Sequence, residues 1–294
     1  MKPQNINFTN GSIYSISNLQ RSFLGKYKKS KLALICLHGG PGYPHNYLLN
    51  LFSLRPELPI IMYDQIGCGK SSFKSDYSKI NINSFVEELE IVRSYYNVDD
   101  IILYGHSWGS ILALEYYLSF PKSVCGIVFA SPCISIPWWI EDSKHYLKQL
   151  PISDQTVIES CNNKYSFFDP EYIKATKNYY ALCVGDDSNG NPALVECDQS
   201  ANSEIYTRFW GPNEFTITGS LSRYNGNSNL KQVTIPKLFL TGEFDECLPA
   251  TCKRYSEICP NSTYSVIPNA KHFINLDNPK FLANEISLFF NSLV

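Results

Sequence analysis

The sequence predicts an α/β protein in which a mostly parallel central sheet carries helices on both faces and is interrupted by a helical insertion. Short apolar runs alternate with polar, helix-like stretches through the first hundred residues, the rhythm of strand–helix–strand units. The runs are nearly continuous in apolar residues, as expected of strands covered on both faces. That rhythm stops at Pro132, stays absent to about Asn229 and resumes at Pro236.

Taken in order, Leu32–Leu37 (LALICL) and Pro59–Tyr63 (PIIMY) read as buried strands, each followed by a turn rich in Gly or Pro. Residues 84–96 have helical spacing, with Phe85, Leu89 and Val92 on one face. Ser84 with Glu87 resembles a capping box at its start. Ile101–Tyr104 is the next strand, 108–119 the next helix, ended by Pro121, and Val124–Ala130 another strand. Within the insertion, stretches near 138–150 and 170–182 read as helical and 185–203 as a loop. Pro236–Leu240 and Thr263–Ile267 restore the strands, and Pro279 opens a closing helix over 279–291. The expected organisation is a core of 1–131 and 230–294 around a cap of 132–229. An insertion between strands of an open sheet lies over the strand ends where ligands bind, so the cap is a candidate lid.

Composition narrows the function. The chain has 294 residues, 44% of them hydrophobic, which is long enough for a substantial core and too apolar for a disordered chain. A net charge of −2 argues against a nucleic-acid partner, since phosphate binding needs an excess of clustered Lys and Arg. The densest basic cluster, Lys26, Lys28, Lys29 and Lys31, reads as a solvated loop. No apolar run approaches the roughly 20 residues of a membrane span, and the N-terminus lacks a signal-peptide stretch. A cytoplasmic location without membrane contact is therefore expected. The ten cysteines are expected to be reduced, Cys36 and Cys125 lying inside apolar runs where Cys acts as a small hydrophobe.

The most informative segment is Gly105-His106-Ser107-Trp108-Gly109, a G-x-S-x-G that follows a predicted strand and opens a predicted helix. That context is the nucleophile elbow of the α/β-hydrolase fold. Ser107 must occupy a tight strand-to-helix turn, which small residues two before and two after make possible. In that fold the partners follow in the order serine, acid, histidine. Only His145 and His272 follow Ser107, and His145 lies in the cap, so His272, just before the last helix, is the expected base. The acid belongs at the end of the preceding strand, where Glu243, Asp245 and Glu246 are available. Asp245 is the expected residue to fix the imidazole tautomer. For the oxyanion, one backbone donor is the N–H of Trp108. The other comes from His38-Gly39-Gly40-Pro41-Gly42, with Gly40 preferred over Gly39. Residues 67–71 (GCGKS) end like a phosphate-binding loop, but the full pattern needs Gly where Asp64 stands.

Together, HGGPG at 38–42, DQIGCGKS at 64–71, GHSWGS at 105–110, GEFDE at 242–246 and GPNEFTITG at 211–219 resemble the prolyl aminopeptidases (proline iminopeptidases). These are α/β-hydrolases with a helical cap, and the cap motif is most similar to the tricorn-interacting aminopeptidase branch. The resemblance spans nearly the whole chain and implies that Glu214 and Glu246 hold the substrate's free N-terminus. It also implies that Asp64 and Gln65 support the oxyanion side. An exopeptidase must recognise the α-ammonium, and a buried pair of carboxylates both binds it and disfavours an N-acylated chain. Trp138, Trp139, Tyr179, Tyr180, Tyr206 and Trp210 are candidates for the wall of an apolar pocket and equally for the cap's own core.

The function expected is a serine aminopeptidase that releases an N-terminal proline, or another small or apolar residue, from short peptides with a free N-terminus, without cofactor or metal. The alternatives are an amidase or esterase on the same triad, and a ligand-binding protein of the same fold without turnover.

Overall fold

Apolar runs too short for helices form the parallel strands of a nine-stranded sheet. In the computed structural model, which describes residues 1–19, 32–54, 58–185 and 191–293, these are β1 (Lys2–Phe8), β2 (Gly11–Ser17), β3 (Leu32–Leu37), β4 (Ile60–Tyr63), β5 (Ser72–Phe73), β6 (Asp100–His106), β7 (Val124–Ala130), β8 (Lys237–Gly242) and β9 (Ser262–Ile267). The order is β1-β2-β4-β3-β6-β7-β8-β9, with β5 pairing β2 at one end. From β4 to β9 every pairing is parallel, whereas β1, β2 and β5 pair antiparallel. The basic cluster at 26–31 lies outside the described residues.

Burial alternates along the parallel strands. Ala33, Ile35, Leu37, Leu103, Ile127 and Phe129 join one core, and Leu34, Cys36, Ile102, Tyr104, Val128 and Ala130 join the other. Covering these faces before the insertion are α1 (Leu51–Leu54), α2 (Ile82–Tyr96) and α3 (Trp108–Ser119). The insertion carries α4 (Ile136–Leu147), α5 (Ile152–Lys164), α6 (Pro170–Cys183), α7 (Pro192–Ser200), α8 (Ser203–Phe209) and α9 (Asn227–Leu230). After it come α10 (Pro249–Glu257), α11 (Ile274–Asp277) and α12 (Pro279–Ser292). All ten cysteines are free, nine of them buried and Cys125 half-buried. No helix of the described residues is long and apolar enough to cross a membrane.

Two local expectations are corrected. The capping box of α2 uses Asn81 and Ser84, whose side chains each accept from the other's backbone N–H (3.3 and 3.2 Å), in place of Ser84 and Glu87. The segment expected as a loop at 185–203 contains α7 over 192–200; Asn191 caps it by accepting from Ala193 N (3.0 Å), and Pro192 occupies its first position. Both misreadings follow a weak apolar pattern in which the capping side chain, not the periodicity, sets the helix start.

The consequence for function is geometric. Strands β3, β6, β8 and β9 end at one edge of the sheet, and the loops that follow them carry the oxyanion segment, Ser107, Asp245 and His272. The insertion is fastened to the same edge. Asp142 of α4 accepts from Leu248 N (3.0 Å) and Thr251 Oγ1 (2.8 Å) at the start of α10. Cys183 at the end of α6 accepts from His272 N (3.0 Å).

Candidate active site

Ser107 sits between β6 and α3 with φ +54° and ψ −121°, a conformation that an L-residue adopts only under strain. The turn is tight enough to require glycine on either side. A Cβ on Gly109 would stand 2.2 Å from the Leu37 carbonyl oxygen, and one on Gly105 2.3 Å from that of Gly109. Ser107 N donates to Ala130 O (3.0 Å), which ties the elbow to β7.

Asp245 is fully buried. Its Oδ1 accepts from Cys247 N (3.0 Å) and pairs with His272 Nδ1 (2.8 Å). Its Oδ2 accepts from Gly242 N (3.1 Å) and lies 3.2 Å from Thr241 Oγ1, whose proton goes to the Cys247 carbonyl (2.6 Å). Because the carboxylate accepts, His272 Nδ1 carries the proton and Nε2 is left as the acceptor. The other two acids of the cluster lie elsewhere. Glu243 is exposed and accepts from Asn269 N (2.9 Å), while Glu246 is buried with its Oε1 3.6 Å from His272 Nε2. His145 is exposed on α4 and takes no part.

Between cap and core lies a cavity of about 270 Å³ whose lining includes Gly40, Ser107, Glu214 and His272. In the oxyanion segment, Gly39 N donates to Tyr47 Oη (2.7 Å), whereas Gly40 N has no protein acceptor among the described residues. Gln65 links both sides of this segment. Its N donates to His38 Nε2 (2.9 Å), its Nε2 to His38 O (3.1 Å), and its Oε1 accepts from Trp108 Nε1 (2.8 Å). The Asp64 carboxylate accepts from Lys70 N (2.9 Å), His45 N (3.0 Å) and His45 Nδ1 (2.6 Å).

Glu214 lies in a turn built by Asn213, whose Oδ1 accepts from Phe215 N (3.1 Å) and Thr216 N (2.9 Å). Tyr206 donates to Glu214 Oε1 (2.6 Å), and Trp139 Nε1 donates to its carbonyl (2.8 Å). Both carboxylate oxygens of Glu246 are buried without a hydrogen-bond partner among the described residues. Burial, and then the Glu214 and Asp245 charges, hold the Glu246 carboxyl well above the ordinary range. Burial raises Glu214 as well, opposed by the Tyr206 hydroxyl and by His272.

These raised carboxyls make stability depend on pH. Below about pH 4.5 both folded and unfolded chains hold the Glu246 proton; above it the unfolded chain releases the proton first, so rising pH favours unfolding. Glu246→Gln abolishes this titration. Its melting temperature is expected to gain on that of the wild type by at least about 2 °C between pH 5 and pH 8, since one pKa unit is worth about 1.4 kcal/mol. A gap that stays constant with pH contradicts the assignment.

Of the aromatic residues expected in the pocket wall, Tyr180 and Tyr206 line the cavity. The others pack within the cap or on the core, Trp139 also standing edge-on to His272 (5.8 Å). Trp138 lies under the Arg254 guanidinium (3.9 Å), Trp139 and Trp210 pack edge to face, and Tyr179 packs on Phe215. Tyr43, Tyr47 and Phe273 complete the wall, and sequence reasoning missed them. Their one signal is adjacency to the glycine loop and to His272.

Known proteins resemble this chain in sequence and in fold. A family model described as the alpha/beta hydrolase fold matches residues 33–279. A proline iminopeptidase of Heyndrickxia coagulans is 37% identical over 262 residues, covering 88% of this chain and 91% of that protein. One from Levilactobacillus brevis is 30% identical over 260 residues, covering 87% of each. The crystal structure of VinJ superposes with a TM-score of 0.88 at 26% identity, over 100% of this chain and 99% of that one.

Proposed function

The chain belongs to the proline iminopeptidase family of α/β hydrolases, and on that premise we propose that it is a serine aminopeptidase releasing N-terminal proline from short peptides through an acyl-enzyme. The observation that carries this reading is a pair of acids, the buried Glu246 and the half-buried Glu214, beside His272 and Ser107. A hydrolase of simple esters has no use for an unpartnered buried carboxylate next to its base, whereas an exopeptidase has to mark the chain end.

Ser107 Oγ attacks the first carbonyl carbon as His272 Nε2 takes its proton, and Asp245 keeps the ring in the required tautomer and stabilises the imidazolium. The N–H groups of Gly40 and Trp108 receive the oxyanion, the second favoured by the N-terminus of α3. His272 then protonates the departing amine. Water, deprotonated by the same ring, attacks the ester and frees Ser107. Glu214 and Glu246 hold the substrate ammonium. A protonated proline nitrogen carries two N–H bonds, one for each carboxylate. The apolar ring faces Tyr180, Tyr206 and Phe273 across the cavity.

A panel of aminoacyl anilides tests the reading. Prolyl anilide is expected to have the highest kcat/KM, with p-nitrophenyl esters lacking an α-amine at least about tenfold lower. Esters preferred over every free-amine anilide would contradict it.

A further inference from the structure

Tyr47 and His106 are each 1% exposed, and neither has a part in the chemistry above, yet together they connect three pieces of it. The donors and acceptors along this connection are fixed by elimination. Gly39 N–H donates to Tyr47 Oη (2.7 Å), so the hydroxyl proton is free to go elsewhere. Tyr47 Oη lies 2.8 Å from His106 Nδ1, and His106 Nε2 lies 2.9 Å from the backbone carbonyl of His272. A carbonyl can only accept, so Nε2 carries the proton. Burial pushes the ring down to about 3, so His106 is neutral and Nδ1 accepts the Tyr47 proton.

The connection runs from oxyanion loop to base. It starts at Gly39, passes through the residue before Ser107 and ends on the peptide group of His272. The same carbonyl also accepts from Ser131 Oγ (3.0 Å), and Tyr47's own carbonyl accepts from Asn275 Nδ2 (2.7 Å) just beyond the base. The two hydrogen bonds of His106 fix its ring plane, and its face lies parallel to Phe273 (centroids 5.8 Å, 20°).

We propose that Tyr47 and His106 are positioning residues that hold the oxyanion loop and the backbone of His272 in register with Ser107, so that proton transfer and oxyanion binding are aligned by one strut. Its effect on the oxyanion side is specific. With Gly39 N–H engaged by Tyr47, the next amide, that of Gly40, is left to face the cavity. The proposal rests on the reading of Ser107 as nucleophile and is independent of which amine the substrate carries.

The test uses the rate at which a fluorophosphonate labels Ser107, resolved into reagent affinity and the maximal rate of bond formation. Tyr47→Phe and His106→Ala are expected to lower the maximal rate at least about tenfold with affinity unchanged, since small misplacements of reacting groups are costly. His106→Gln, whose amide can donate to the His272 carbonyl, is expected to recover part of the loss. Tyr104→Phe is the control: its hydroxyl is buried on the same strand without a partner among the described residues, and its labelling rate should match the wild type. Circular dichroism melts accompany each variant. Rates within twofold of wild type in Tyr47→Phe and His106→Ala would overturn the proposal. So would a loss reproduced in Tyr104→Phe, which would trace it to the core at large. A wild type that is not labelled at Ser107 would instead remove the nucleophile reading, and the strut with it.

Discussion

Ser107→Ala is expected to lower kcat for prolyl anilide by roughly 10⁴–10⁶-fold, the scale seen when a serine hydrolase loses its nucleophile. The loss is this large because the proposed route has no second nucleophile: the remaining oxyanion donors and the ammonium site can only orient water. Alanine adopts the strained turn no more easily than serine does, so the variant's melting temperature is expected to stay close to the wild type's. Activity within a hundredfold of wild type would remove Ser107 from the mechanism. A collapse of the fold would be recognised by its melt and would say nothing of catalysis.

N-acetylprolyl anilide is expected to be cut with a kcat/KM at least about 10⁴-fold below that of prolyl anilide. A site built around a buried polar group rejects the analogue that cannot satisfy it by about this factor. Here the mismatch is severe. Acetylation removes the positive charge, adds bulk against Tyr206 and Glu214, and leaves two carboxyls in a site where burial already disfavours their ionised forms. Removing one member of the pair, in Glu214→Gln or Glu246→Gln, should lower kcat/KM for the free amine about tenfold or more, one charged hydrogen bond being worth roughly 1.5–3 kcal/mol.

Much of this site was legible because its parts obey strong local rules. The sequence around Ser107 needs Gly105 and Gly109 for steric reasons that the 2.2 and 2.3 Å approaches make plain. Chain order then reduces five histidines to two, the cap claims His145 and leaves His272, and the end of β8 reduces the acids to three. The choice among those three rests on a loop geometry that sequence expresses only through proximity to the strand. In the structure Asp245 alone meets Nδ1, Glu246 approaches the opposite edge of the ring, and Glu243 turns to solvent. Glu214 is different. Nothing local marks it, and only the resemblance of GPNEF to a known motif singled it out.

The parts that could not be read are those set by distant partners. The hairpin of β1 and β2 lacks an apolar run, because β1 is an edge strand with an exposure pattern that is mostly solvent-facing. Sequence leaves Trp138, Trp139 and Trp210 open to the pocket wall or the cap core, and they serve as the cap's own core and its seam with the hydrolase core. Tyr43, Tyr47 and Phe273 were overlooked because they sit in loops, where an aromatic residue has no periodicity to betray which way it faces. The connection from Gly39 through Tyr47 and His106 to His272 joins positions up to 233 residues apart, and no spacing rule foretells it.

In an aminopeptidase of this kind a positively charged chain end is what admits a peptide to Ser107. The most direct check is to compare the free and the N-acetylated prolyl anilide as substrates of one wild-type preparation, under identical conditions. Turnover of the free amine with at least about 10⁴-fold discrimination is the predicted result. Equal rates on the two compounds would mean that Glu214 and Glu246 do not read the amine, and the exopeptidase assignment would fall.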